Sequence, residues 1–232
     1  MTVCSSLARG RMMRVTRLDN CGAVVEGANS TITTKGYVSV TMTPTYQDQE
    51  DITQTDANGD NCIDDQSDPA LRWIELSMVF CLVNPELVNV LTGDPLVLND
   101  AAVTPEAVGF RIDQAVTGTA SFALELWSGK PGQACDAAGF EEYGYWLLPF
   151  IKNAQWGEWV VENGALTLTL TARTSAGPGW GVGPYDVVRS TVTPFPVGPL
   201  GTAITESQHV HFEATSAPLP TPSCDSTALP VA

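Results

Sequence analysis

Three stretches of the chain alternate apolar and polar residues with a period of two. In 36–43, Val38, Val40 and Met42 fall on one face and Ser39, Thr41 and Thr43 on the other. In 119–127, Phe122, Leu124 and Leu126 share a face, and in 164–173 Leu166, Leu168 and Leu170 alternate with Thr167, Thr169 and Thr171. That period marks a strand with one buried face, and threonine suits the wet side. Residues 159–162, then Asn163 and Gly164, then the leucine strand read as a hairpin, because Asn-Gly supplies the positive φ values of a type I′ turn. Further strands are predicted over 71–82, 107–115, 185–192 and 208–214. One helix is marked by its punctuation. Asn84 can cap it, Pro85 fits its first turn, Leu87, Val88 and Leu91 form its apolar face, and Gly93 can end it. A helix of about two turns needs a sheet to pack on. The pattern therefore predicts a mainly β fold, a β-sandwich or open barrel with one short flanking helix.

Two regions break the pattern. Residues 44–70 form a long polar stretch between two strands, and a connection of that length is usually functional or mobile. Residues 214–232 are rich in Pro, Ser and Thr and read as an extended tail. The expected organisation is a basic N-terminal arm over 1–20, one β-domain over 21–213 carrying the 44–70 loop, and the tail. No internal repeat stands out. The glycine-rich run 177–183 reads as a flexible loop; it lacks the Lys-Ser/Thr pair and following helix of a phosphate cradle.

Composition narrows the function. The 232 residues include 26 acids and 11 bases, a net charge of −15, and 44% are apolar. That suffices for one full core or two small ones. The longest apolar runs, 78–83 and 145–151, fall far short of the roughly 18–20 residues that cross a bilayer. No apolar stretch follows the N-terminal arginines, so no secretory signal is expected. So acidic a chain is a poor DNA reader, though DNA could slide past it. Six cysteines, at 4, 21, 62, 81, 135 and 224, form no C-x-x-C. Free thiols are expected, with Cys81 acting as a small hydrophobe inside its apolar run.

The charge is also uneven. Arg9, Arg11, Arg14 and Arg17 are not joined by any acid before Asp19. Asp48, Glu50, Asp51, Asp56, Asp60, Asp64, Asp65 and Asp68 have no base among them. Simple solvation accounts for either cluster. The sharper reading makes them complementary surfaces on different subunits, which would steer assembly and set register. On that reading, reversing Arg11 and Arg14 to Glu blocks assembly and leaves the monomer folded.

Candidate chemistries are weak. Residues 56–64 resemble the start of an EF-hand calcium loop, with oxygen ligands at alternate positions, but Asn61 replaces the turn glycine and Ser67 the closing glutamate. His209, His211 and Glu213 would share one strand face, though strand spacing rarely closes a metal triad. There is no G-x-S-x-G and no paired carboxylates at a diagnostic spacing. Tyr143, Tyr145, Trp146, Trp156, Trp159 and Trp180 could form a sugar-stacking platform, but core or interface anchoring is the commoner use.

The order of several motifs suggests a family. Cys21-Gly22, then Lys35-Gly36-Tyr37-Val38-Ser39-Val40, an acidic loop with Asn58-Gly59 and Cys62, and Leu71-Arg72-Trp73-Ile74 resemble the major tail proteins of long-tailed phages of actinobacteria. So do Asn84-Pro85-Glu86-Leu87 with Leu91-Thr92-Gly93, the strands at 122–127 and 144–151 with Pro149, Asn163-Gly164-Ala165-Leu166, and the loop around Trp180. The similarity spans about residues 15–215 and leaves the tail outside. The resemblance implies a β-sandwich tail-tube subunit, similar to type VI secretion tube proteins. Hexameric rings of it would stack into a tube for DNA ejection. It implies partners among tape measure, tail terminator and tip proteins, DNA in transit without sequence-specific binding, and no membrane. It implies a place in the virion tail after assembly in the host cytoplasm, and no catalytic residue, cofactor or metal. The alternative is a calcium-assisted carbohydrate-binding or adhesion module built on 56–64; a secreted glycosidase-like enzyme comes third. A tube would close the sheet margins across subunits and repel phosphate through its repeated negative charge.

Overall fold

The computed structural model describes residues 6–48, 52–66, 68–99, 105–114, 120–131, 135–136, 138–159, 163–164, 166–177 and 179–229. The strands in chain order are β1 (Ala8–Leu18), β2 (Gly27–Thr34), β3 (Tyr37–Tyr46), β4 (Ile52–Thr55), β5 (Asn61–Asp65) and β6 (Leu71–Phe80). After helix α1 (Pro85–Thr92) come β7 (Leu96–Leu98), β8 (Ala107–Phe110), β9 (Ser121–Gly129), β10 (Tyr143–Trp159) and β11 (Leu168–Thr174). The last are β12 (Val188–Arg189), β13 (Val197–Gly198), β14 (His211–Thr215) and β15 (Thr227–Leu229). The fold is mainly β, as the alternation predicts, with α1 its one helix among the described residues.

Nine strands form one antiparallel sheet in the order β15, β2, β1, β9, β10, β11, β6, β3, with β14 also on β10. It does not close into a barrel. Instead it folds over itself. Met13, Val15, Ile32, Leu124 and Leu148 on one half meet Leu76, Met78, Phe80, Leu168 and Leu170 on the other, with Leu87, Val90 and Leu91 of α1. β10 carries the chain between the halves. Its first part pairs with β9 and β14, its last part with β11, and its register slips between Leu148 and Ile151 and again between Lys152 and Gln155. Pro149 and the left-handed Asn153 (φ 55°) sit at these slips. Extra residues on one strand bend it, which lets one strand serve two layers.

A second core fills the opposite face of β1, β9 and β10. Met12, Leu18, Ala123, Trp127, Tyr145 and Leu147 are covered there by Trp180, Val187, Leu200 and Ile204. Being apolar on both faces, β1 shows no alternation to read. Residues 8–18 of the stretch expected to be a basic arm thus form a central strand, β1. β2 hides for another reason: Thr31, Thr33 and Thr34 are polar by type but buried, and Thr31 Oγ1 donates to Val15 O at 3.1 Å. The expected tail supplies β15 and the end of β14.

The helix matches its predicted punctuation. Asn84 Oδ1 accepts from Glu86 N and Leu87 N, Pro85 opens the first turn, and Gly93 closes the helix at φ 82°. Residues 179–183 of the glycine-rich run are more constrained than a flexible loop. Trp180 is buried, and a Cβ on Gly179 would fall 2.1 Å from the Gly22 carbonyl carbon. Trp159 pairs with Leu168 across the predicted β10–β11 hairpin; part of its turn lies outside the described residues.

Three tight turns share one design, which was not singled out in the sequence: Asp19 to Ala23, Asp56 to Asp60 and Asp136 to Phe140. In each, the Asp Oδ1 accepts from the backbone N–H two and four residues on, and the Asp N–H donates back to the fourth residue's carbonyl. The glycine in each is left-handed, at φ 89°, 90° and 88°. Asp-x-x-Gly is the readable signal, because the short carboxylate substitutes for a backbone acceptor and glycine alone enters that φ region freely.

Candidate assembly surfaces

Residues 153–159 of β10, β11, β6 and β3 make a four-stranded half-sheet with two bare margins. β3 pairs only with β6, and past Lys152 β10 pairs only with β11, among the described residues. β3 spans ten residues without a charge, and its Val38 and Tyr46 are 58% and 57% exposed. Exposed edges are normally guarded by charges, bulges or covering segments. Here Pro44 and slips at Tyr37/Ser39 and Thr45/Tyr46 are the modest exceptions.

One face of this half-sheet packs into the first core. The other is polar: Thr43, Glu75, Ser77, Gln155, Thr171 and Arg173 line a shallow hollow of about 620 Å³. Register places Thr41 opposite Ser77, and Thr171 opposite the same serine from the other side. Hydroxyls and amides dominate this face, and Glu75 and Arg173 offset one another. Two guanidiniums approach the Trp73 ring, Arg72 at 4.1 Å and Arg173 at 5.0 Å from its centre.

β4 and β5 form a separate hairpin that projects beyond β3 and β6, joined at its root by Gln47 N donating to Ala70 O. All of its residues are exposed. Ile52 faces Asp65 and Gln54 faces Ile63, so Ile52 and Ile63 lie diagonally on one face. Asp56, Asp60, Asp64 and Asp65 ride on this hairpin, and exposed Asp48 and Asp68 flank its base. Glu50 and Asp51 lie outside the described residues. The Asp56 carboxylate closes the turn rather than forming a calcium loop, and bonds from Asp60 N and Asn58 N hold its pKa below the ordinary value.

The four arginines do not act together. Arg9 and Arg11 are exposed. Arg17 donates to Asn89 Oδ1 of α1 at 2.6 Å. Arg14 is 7% exposed, and Nε and Nη2 each reach a Glu125 oxygen at 2.6 Å. Glu125 is wholly buried and also accepts from Tyr145 Oη at 2.7 Å. Tyr185 stacks its ring 3.3 Å from the guanidinium and shares a hydrogen bond with Thr16. Burial alone would lower the Arg14 pKa; the Glu125 carboxylate overcomes this and the net direction is up. Burial, then the Glu125 charge, pushes both tyrosine hydroxyls up. Arg14 is therefore a core residue, and reversing it cannot leave the monomer intact. A lone charge in β9 is the available clue, since an acid amid five apolar residues of its own strand needs an internal partner.

The histidine triad does not form. β14 starts at His211, while His209 is buried before it with Nδ1 2.7 Å from Thr174 Oγ1. Burial lowers its pKa. His211 and Glu213 lie 3.6 Å apart beside Tyr145. Among the described residues no three His, Cys, Asp or Glu side chains gather around a metal-sized space. The aromatics serve packing: Tyr143, Tyr145 and Trp180 are in the second core, Trp146 meets Phe212 at 4.4 Å, and Trp156 stacks on Phe110 at 5.1 Å. Cys21, Cys62, Cys81, Cys135 and Cys224 are free and exposed. Cys81 is thus not a packed hydrophobe: it follows the end of β6, and its thiol reaches Gly36 O at 3.5 Å. No family model matches the chain, and no curated protein does so either.

Proposed function

We propose that this protein is a structural subunit of a phage tail tube, polymerising as stacked hexameric rings around a channel for DNA. The observation that carries the reading is the pair of margins on the four-stranded half-sheet that no other strand pairs with among the described residues. All of its pairings are antiparallel, so an even number of strands leaves β3 and β10 running in opposite directions. Joining β3 of one copy to 153–159 of the next continues the antiparallel alternation. Such a head-to-tail joint is heterologous and closes into a ring when its rotation divides a full turn. The ring number of six and the stacking come from the family resemblance.

The polar face of Thr, Ser, Gln and a compensated Glu75/Arg173 pair suits a bore. Its cations are two, Arg173 opposite Glu75 and Arg72 beside Trp73, and the chain's −15 repeated around each ring opposes condensation of DNA on the wall. On this reading repulsion comes from the whole subunit and non-adhesion from the hydroxyl-rich face. The β4–β5 hairpin is the natural contact beyond the ring. An isolated two-stranded hairpin is marginal in water, and this one presents two isoleucines and four aspartates with no intramolecular cover. Of the four N-terminal arginines, Arg9 and Arg11 are the exposed ones, able to meet it on another copy.

The test is edge blocking. The parent chain is expected to form rings and tubes by negative-stain microscopy and to sediment as large species. Val38→Lys with Thr41→Lys adds two charges to the β3 margin and is expected to leave a folded monomer. A parent that remains monomeric at high concentration, or a double variant that assembles as well as the parent, contradicts the reading.

A further inference from the structure

Residues 223–229 lie along the outer margin of β2. Ser223 N donates to Thr33 O at 2.9 Å, Thr227 pairs with Thr31, and Leu229 pairs with Gly27. Ser226 Oγ donates to Asn29 Oδ1 at 2.7 Å. The segment also grips the start of α1: Asn84 Nδ2 donates to Cys224 O at 2.8 Å, and the Glu86 carboxylate accepts from Ser226 N. Leu229 is buried while Thr227 and Ala228 are exposed. This is how a peptide is added to a sheet edge: main-chain bonds hold it, and a side chain pointing inward gives selectivity.

The connector before it is different. Pro218, Pro220 and Pro222 favour extended backbone and supply no ladder donor, and Thr221 and Pro222 are exposed. Nothing in the bonding of 223–229 requires that the segment belong to the same molecule. β2, like β3, carries no charge along its length that would repel an incoming strand.

We propose that the β2 margin, with Asn84 and Glu86, is a strand-binding site filled here by residues 223–229 of its own chain and open to the same segment of a second copy. Exchange swaps each bond for an identical one, so its cost is low and the prolines act as the hinge. The consequence, a staple between subunits, rests on the assembly reading; the chemistry of the site does not.

The test uses the full chain with a protease site inserted at Thr221 and nicked after folding. A fluorescent synthetic peptide of residues 218–232 is titrated into the nicked protein. Saturable uptake is expected, displaced by unlabelled peptide and by a Leu229→Asp peptide only at more than about tenfold higher concentration, because the latter buries a carboxylate. A nicked protein that keeps its melting transition and takes up no peptide overturns the proposal. Should nicking unfold the protein, a second variant decides: Thr31→Cys with Thr227→Cys, the six native cysteines replaced by Ser, oxidised at high concentration. Disulfide-linked dimers and larger species on a denaturing gel support exchange between copies, and linked monomers alone contradict it. Peptide uptake by a chain that forms no rings would leave this site standing and remove the tube; rings without uptake or cross-linked dimers would do the reverse.

Discussion

Arg14 and Glu125 show how a charge can be structural in a place where its neighbours are not. The pair is buried, doubly bonded and sealed by two tyrosines, so removing one partner strands the other in a dry core. Arg14→Met is expected to cost about 3–5 kcal/mol in urea unfolding, the usual penalty for an orphaned buried charge. Arg14→Met with Glu125→Leu should recover part of that loss. Recovery is incomplete because Tyr145 Oη then loses its acceptor. The exposed neighbour behaves differently: Arg11→Glu should leave the melting temperature nearly unchanged, whereas Arg14→Glu places two carboxylates together and prevents folding. Equal melting temperatures for the two reversals would contradict this. Asp56 and Asp136 carry a pH signature. Backbone bonds, from Asp60 N to Asp56 and from Phe140 N to Asp136, hold both pKa values below the ordinary Asp value. A depressed folded pKa means stability that is present above the unfolded value and lost as pH falls through the folded one. Carboxyl titration by NMR should show both groups protonating after ordinary exposed aspartates, and Asp136→Asn should remove that acid-range component.

Elements were legible where one face was wet, as in β3, β6 and β11, and α1 announces both of its ends; β9, packed on both faces, was legible from Phe122, Leu124 and Leu126 alone. β1 and β2 were hidden, one because it is packed on both faces and so has no period, the other because its buried residues are threonines. The acidic stretch read as a loop is a hairpin whose central turn was legible only as Asp-x-x-Gly, a motif that also resembles a cation loop until the Asp carboxylate is seen bonding to its own backbone. Of the candidate site residues, Asp56, Asp60, Asp64 and Asp65 share the hairpin, with Asp64 and Asp65 on opposite faces of β5. The arginines separate because a strand sends alternate residues to opposite faces, which puts Arg14 and Arg17 against different neighbours. The hairpin is where element and function meet. Ile52→Ser with Ile63→Ser should leave the unfolding free energy within about 0.5 kcal/mol of the parent, as for exposed sites without internal contacts. The same variant should weaken association between rings in sedimentation experiments. A large stability loss would mean that the hairpin folds back on the domain.

Taken as a molecule, the chain hides one sheet margin under its own C-terminal segment and leaves two others unpaired among the described residues. A protein built to remain alone would guard β3, either with lysine or by closing the sheet onto β2; this one does neither. Its acidic surplus keeps free subunits apart at long range, and short-range strand pairing must overcome that repulsion, so raising salt is expected to promote assembly. The most direct measurement is a reconstruction by electron cryomicroscopy of whatever the purified chain forms. The account predicts sixfold rings in which β3 of each subunit hydrogen-bonds to residues 153–159 of its neighbour, with the Thr- and Ser-rich face turned to the axis. An assembly whose β3 margin stays unpaired, or a protein that remains a single folded subunit at every salt and protein concentration, would contradict it.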